Sequence, residues 1–403
     1  MNNSAVLKHV NVLSLNRIPD TSAKRKIINY VQNELAEGNI INRLESFEYS
    51  SLSNLKSFFL VFNCLTISLE DIFLLLFEIN WIHTIFLLII IFLIIVSLDI
   101  FVNPNHFALL GKKETARNII GEISSQNKRF KRPLIIFSSH YENNARNYSQ
   151  RTVLILIFIN LVFIVIFFVL LIFTTIFILF KLIFYNFYGF LKLIILFFGF
   201  IYILVIISLF SVNRNQTSDQ FTQKISGTAL LIELSKMLKK EPLIHFDLIF
   251  LWTGGEKYGL WGIRNYYKKY IFEFYKKYEL NESYNISIDE IGNDMGLVEY
   301  LGMIRKKQIN EPLNAILGAI ANKMNIKLSK LTLPNTLPYH FVIFKKYSAK
   351  FDKKIHFSRF SSLQKKKKLN SKEDLDKDLF QKNLENCINL CFNAAKSLDK
   401  RVE

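Results

Sequence analysis

The chain has 403 residues, of which 51% are hydrophobic and 38 are phenylalanine, and it carries a formal net charge of +18. That balance excludes an ordinary soluble composition and couples lipid-compatible segments to a basic, water-facing part. Three cysteines, Cys64, Cys387 and Cys391, exclude a disulfide framework, and the i,i+4 pair Cys387 and Cys391 reads as packing on one helix face, favouring the reducing side of a membrane.

In chain order, residues 1–26 lack the charged-then-apolar build of a cleavable signal. Residues 6–15 read as a helix, Arg17-Ile18-Pro19-Asp20 as a turn, and 22–37 as an amphipathic helix whose stripe is Ile27, Ile28, Val31 and Leu35. Residues 41–49, INRLESFEY, read as a first strand. An apolar block follows at 58–101. Its second half, 82–98, is uncharged apart from His83, while its first half, 58–77, carries Glu70 and Asp71. A second block, 153–210, holds two long uncharged runs, 153–180 and 193–210, joined by a segment with Lys181, Asn186, Gly189 and Lys192.

Parity constrains these spans. If the segments around the blocks build one domain, each block must return the chain to the side it left. The second block is therefore a two-span hairpin, and the first is expected to be two spans turning near Asn80-Trp81, with a re-entrant or interfacial hairpin as the alternative. Lys and Arg gather in the remaining segments, at 24–26, 112–113, 128–132, Arg146 and Arg214, which predicts a cytoplasmic domain on a multi-pass integral membrane protein. The sequon Asn147-Tyr148-Ser149 points the other way, weakly, in an Asn-rich chain.

Between the blocks, 114–125 reads as a short helix and 132–139, RPLIIFSS, as a buried strand followed by His140-Tyr141-Glu142. After the second block, Gln223-Lys224-Ile225-Ser226-Gly227 leads a helix at 228–239 whose core face is Leu230, Leu231, Leu234 and Leu238. Residues 246–262, FDLIFLWTGGEKYGLWG, read as a buried strand that breaks at Thr253-Gly254-Gly255 and enters a helix at about Gly259. Glu256 thus lies just past the carboxyl end of a buried strand, where open parallel α/β sheets place their ligands. An aromatic helix at 263–275 and a strand at 284–288 lead to Asp289-Glu290-Ile291-Gly292. A helix at 312–324, the segment LPNTLPYHF at 333–341, the solvated run Lys365 to Lys368, with anionic lipid as its other partner, and an amphipathic helix at 375–397, set to pack on the sheet edge, complete the chain.

This alternation predicts an α/β fold, a three-layer α/β/α sandwich with a mainly parallel sheet, plus α-helical transmembrane hairpins. The expected organisation is domain sequence at 1–55, a membrane insertion at 56–104, domain at 105–151, a transmembrane hairpin at 152–211 and domain at 212–403.

The segments around His140, Gln223, Glu256, Asp289 and His340 together resemble the di-zinc exopeptidases, the aminopeptidases and glutamate-carboxypeptidase-like enzymes of metallopeptidase family twenty-eight. The resemblance covers nearly all the sequence outside the apolar blocks. It implies that His140, in His-Tyr-Glu where the family has His-Tyr-Asp, is a zinc ligand. Glu256, in Glu-Lys-Tyr-Gly-Leu-Trp-Gly-Ile where the family has Glu-Glu-x-Gly-Leu-x-Gly-Ser, falls on the general base. Asp289 falls on the aspartate that shares the first histidine's zinc, and His340 on the last ligand, with Pro338-Tyr339 in place of the family's Ser-Asp.

Two ligand positions are substituted. Gln223 stands where an aspartate bridges both zincs, and Lys257 where a carboxylate binds metal. A neutral amide cannot hold two dications together, and Lys257 would act as a tethered cation in place of zinc, neutralising Glu256 and Asp289. Asp219, one turn upstream, and Glu142 are auxiliary candidates. His140, Asp289 and His340 leave neither zinc position with three protein ligands, so at most one zinc, or none, is expected.

Two functions follow. One is a membrane-anchored exopeptidase-like domain with a degenerate metal site, non-catalytic or weakly active, that binds a peptide or protein ligand. The other is an active metallo-exopeptidase with an altered or single-zinc site, Glu256 as base and a peptide as substrate. The spans 153–180 and 193–210 lack the ionisable residues of a transport path, and the lipid bilayer, not nucleic acid, is the partner expected for the basic charge.

Overall fold

The computed structural model describes residues 5–14, 21–50, 113–127, 131–142, 218–256, 260–302, 306–333, 349–352, 355–362 and 376–402, with a few isolated positions besides. The chain divides into two units, one of residues 1–49, 114–144 and 217–403 and the other of residues 50–113 and 145–216; the elements below lie in the first. The four expected spans, the turn at 17–20 and the run 365–368 lie outside the described residues. Among the described residues no helix is long and apolar enough to cross a membrane.

The runs LIIFSSH and DLIFLWT, apolar on both faces, become the sheet centre: β3 (Leu134–His140) and β4 (Asp247–Thr253) pair in parallel from Leu134↔Asp247 to His140↔Thr253. On the other side of β3 comes β5 (Tyr284–Ile288), also parallel, and then β9 (His356–Ser361), parallel to β5. Continuous burial of both faces is the pattern that parallel strands covered by helices require. Outward from this centre lie β2 (Lys113–Ile123), antiparallel to β4, and β1 (Ile41–Ser50). On the far side β6 (Gly296–Leu301) runs antiparallel to β9 and to β7 (Lys307–Gln308), and parallel to β8 (Ser329–Leu333).

Alternation along each strand feeds two helix layers. Ile135, Phe137, Leu248, Phe250 and Trp252 face a core shared with α1 (Ala5–Ser14), α2 (Thr21–Glu37), α3 (Ser218–Lys240), α5 (Glu311–Lys323) and α6 (Lys377–Asp399). Phe137 and Phe250 stack there with ring centroids 5.6 Å apart. Leu134, Ile136, Ile249 and Leu251 face the other way, against Ile263, Tyr266, Tyr267 and Phe274 of α4 (Trp261–Lys277). Each such large side chain, fully buried, contributes roughly 1.5–3 kcal/mol. The three-layer arrangement therefore follows from the period-two split of strands that are apolar throughout.

The sheet is mixed, and its parallel part is the central group β4-β3-β5-β9 together with β6 and β8. Three expectations are corrected. The segment expected as a helix at 114–125 forms β2 over Lys113–Ile123: Asn118 and Ile120 point to one face and Ile119 and Ile123 to the other. Helix α3 starts at Ser218, ten residues before the expected start, because nothing between 218 and 227 breaks a helix and buried Ile225 extends its core face. Finally, α6 packs against α3 and α5 in the helix layer and not on the sheet edge, since its stripe Phe380, Leu384, Cys387, Cys391 and Leu398 needs an apolar face of its own length.

Candidate active site

The carboxyl ends of β3, β4, β5 and β9 open on the same side, since these four strands run parallel. His140 is the last residue of β3, Asp289 follows β5, and Glu256 follows β4 by three residues. The turn from β4 to α4 needs unusual backbone: Gly255 has φ 66° and Leu260 φ 60°, and the Trp261 N–H donates to the Gly255 carbonyl at 3.2 Å. Only a residue without Cβ takes the first without cost. Leu260 bears that cost as the left-handed residue from which α4 starts.

Helix α3 closes the floor. A Cβ on Gly227 would lie 2.1 Å from the Asp289 carbonyl oxygen and 2.7 Å from Ser139 Oγ, so only glycine lets the helix sit directly on the ends of β3 and β5. From the same helix, Thr228 Oγ1 donates to the His140 carbonyl at 3.0 Å, and Ser226 Oγ accepts from the Ile291 N–H at 2.8 Å. These bonds fix the backbone on which His140 and Asp289 stand.

The side chains form acid–cation groups. His140 Nδ1 lies 3.8 Å from Asp289 Oδ1, and the Ser287 hydroxyl donates to the same carboxylate at 3.3 Å. The other Asp289 oxygen is bonded to the guanidinium of Arg359, from β9, and both side chains are largely buried. Glu142, itself buried, accepts from the Glu256 backbone N–H at 3.2 Å and pairs with Lys24 of α2 at 3.0 Å. Glu256 is 3% exposed. Burial pushes the Arg264 guanidinium below its ordinary range, while Tyr347 and Glu256 act in the opposite direction and favour its charge. Burial also raises the Tyr141 phenol well above its usual value, with Glu142 and Glu256 adding to it; its hydroxyl donates to the Arg117 carbonyl at 2.7 Å.

No family model and no curated protein sequence matches the chain. Solved structures do. A glutaminyl cyclase from Fimbriiglobus ruber aligns over 97% of this chain and 93% of its own, at 10% identity and a TM-score of 0.52. A leucine aminopeptidase precursor from Bacteroides thetaiotaomicron aligns over 97% and 96%, at 10% identity and a TM-score of 0.50. The fold is zinc-exopeptidase-like. A zinc aminopeptidase from Bacillus subtilis also matches, at 13% identity and a TM-score of 0.40 over 71% of this chain, which spans 51% of that protein's length. At such identities the likeness concerns the fold alone.

Within this exopeptidase-like fold, the structure brings together His140 and Asp289, and separately Glu142 and Glu256. Asp219 and Gln223 lie on the first turns of α3, so Gln223 is on a helix and not in a lead-in loop. Lys257 and His340 lie outside the described residues. The described donors are fewer than a zinc site requires. His140 and Asp289 are two donors, the Asp289 carboxylate already holds a guanidinium, and among the described residues no group of three or more His, Cys, Asp or Glu is placed to bind metal. Sequence reasoning missed Arg359, Lys24 and Arg264. For Arg359 a signal existed, a lone cation in the alternating segment HFSRFS, but β9 was not expected as a strand.

Proposed function

We propose that the chain is a multi-pass integral membrane protein whose exopeptidase-like domain has left di-zinc chemistry and works as a non-catalytic or weakly active binder of a peptide or protein ligand. One observation carries this reading: Asp289 and Glu142 at the site are each paired with a cation supplied by the chain itself. Arg359 holds Asp289, Lys24 holds Glu142, and Arg264 lies within electrostatic reach of Glu256. A dication arriving at Asp289 would have to displace the guanidinium or sit beside it, and like charges ~4 Å apart repel by a few kcal/mol even when screened. Gln223 and Lys257 at substituted ligand positions support the same conclusion. The membrane part of the reading is supported by the uncharged runs 153–180 and 193–210, and the cytoplasmic side by the Lys and Arg outside them.

The His140–Asp289 approach at 3.8 Å favours a second reading, a single-metal hydrolase with Glu256 as base. Metal analysis of the detergent-solubilised full chain separates the two. The expected result is no stoichiometric zinc in the parent. Near-stoichiometric zinc that disappears in His140→Ala and survives in Glu256→Gln would overturn the proposal and make peptide hydrolysis the function to pursue.

A further inference from the structure

The inner face of α4 is buried by Ile263, Tyr266, Tyr267 and Phe274, but its outer face carries large apolar groups into solvent. Phe272 is 56% exposed and Tyr275 37%. Tyr275 stacks on Phe351 with centroids 4.8 Å apart, and Phe272 lies 6.3 Å from the same ring. A lysine lies over each of two rings: Lys276 Nζ is 4.4 Å from the Phe272 centroid and Lys131 Nζ 5.6 Å from that of Tyr275. Five basic residues on α4 face one acidic helix residue, Glu273.

We infer that this aromatic and lysine face of α4 docks on the surface of an anionic bilayer. The inference rests on the reading of the chain as a membrane protein. Exposed aromatic rings forgo part of their burial, which the boundary between headgroups and acyl chains restores. Lysine stems lie along such rings while their ammonium groups reach lipid phosphates, and each adds to attraction toward an anionic surface. A nucleic acid fits this face less well, because bases stack on open ring faces. Here Phe351 stacks on Tyr275, and Lys131 and Lys276 lie over Tyr275 and Phe272, so ring faces that a base would need are already taken up within the chain.

The test uses the full chain reconstituted in vesicles, on a Cys64→Ser background, with a nitroxide at Phe272→Cys or at the exposed control Lys330→Cys. Cys387 and Cys391 are fully buried and stay unlabelled. Accessibility to oxygen, which concentrates in lipid, is compared with accessibility to a water-soluble nickel chelate. In vesicles of equal parts phosphatidylcholine and phosphatidylglycerol, the oxygen-to-nickel ratio at 272 should exceed that at 330 severalfold. It should fall to the control value in phosphatidylcholine alone, in high salt, or in Lys131→Glu/Lys276→Glu. Equal ratios at both positions in anionic vesicles overturn the inference, as does a label at 272 shielded from both relaxants, which would mean contact with protein. Alkaline carbonate extraction reports separately on the membrane reading: release of the chain refutes the spans, whatever the label shows.

Discussion

Replacing Arg359 by methionine keeps most of the side-chain volume and leaves the Asp289 carboxylate, in a side chain 9% exposed, without its guanidinium. Removing one partner of a buried ion pair typically costs 3–5 kcal/mol. Ser287 Oγ at 3.3 Å and His140 at 3.8 Å stay beside the carboxylate, so the lower end applies, about 3 kcal/mol. At ~2–4 °C per kcal/mol for a domain of this size, the apparent Tm should fall by roughly 6–12 °C. Intrinsic fluorescence of the detergent-solubilised chain, in which Trp252 is fully buried, follows the transition. Arg359→Met/Asp289→Asn should recover to within about 1 kcal/mol of the parent, because neutralising both partners removes the unpaired charge. A parent-like Tm in Arg359→Met, or a strictly additive double-mutant cycle, would refute the pairing and return Asp289 to the pool of metal donors.

Gly227→Ala should destabilise by at least the ~1–3 kcal/mol of an overpacked core, since its Cβ would meet the Asp289 and Ile288 carbonyls at 2.1 and 2.4 Å; expression level and Tm report it. Asp376 caps α6 by accepting from the Asp378 and Leu379 N–H groups at 3.1 Å, so Asp376→Ala should cost about 1 kcal/mol by the same melting assay. A hydrogen bond to His9, opposed by burial, holds Glu233 below the usual carboxylate range. Burial would raise Glu34, but Lys236, His9 and Tyr30 outweigh it and hold that carboxyl low as well. Carboxyls depressed in the folded state stabilise it above the ordinary carboxylate range and lose that contribution as pH falls through their folded values. The Tm gap between parent and Glu233→Gln should therefore narrow in acid and be full at neutral pH; a gap independent of pH would contradict the pairing.

The elements legible in the sequence were those with one dominant period. The strand at 284–288 matches β5 residue for residue, and the helices at 22–37 and 263–275 match α2 and α4 to within two residues at each end. In KETARNIIGEI, charged residues interrupt the alternation, and only pairing with β4 reveals it as a strand. The site was legible as far as it is written locally: His140, Glu256 and Asp289 each follow a strand that reads clearly. Its cations were not, because Arg359 lies 70 residues from Asp289 and Lys24 reaches Glu142 from a helix more than a hundred residues earlier. Charge balance across such separations is a property of topology, and no local pattern carries it.

The packing of α1 and α2 on α3 also sets a timetable for synthesis. Val6, Val10 and Leu13 share a core with Leu230, Leu231 and Leu234, which leave the ribosome more than two hundred residues later. At roughly 5–20 residues per second, the N-terminal helices wait on the order of 10–40 s for the surface that buries them. During that interval the apolar stripe of each helix, Val6, Val10 and Leu13 in α1 and Ile27, Ile28, Val31 and Leu35 in α2, lacks the α3 surface that buries it. Completion of this core is therefore a late event in synthesis, set by the emergence of α3.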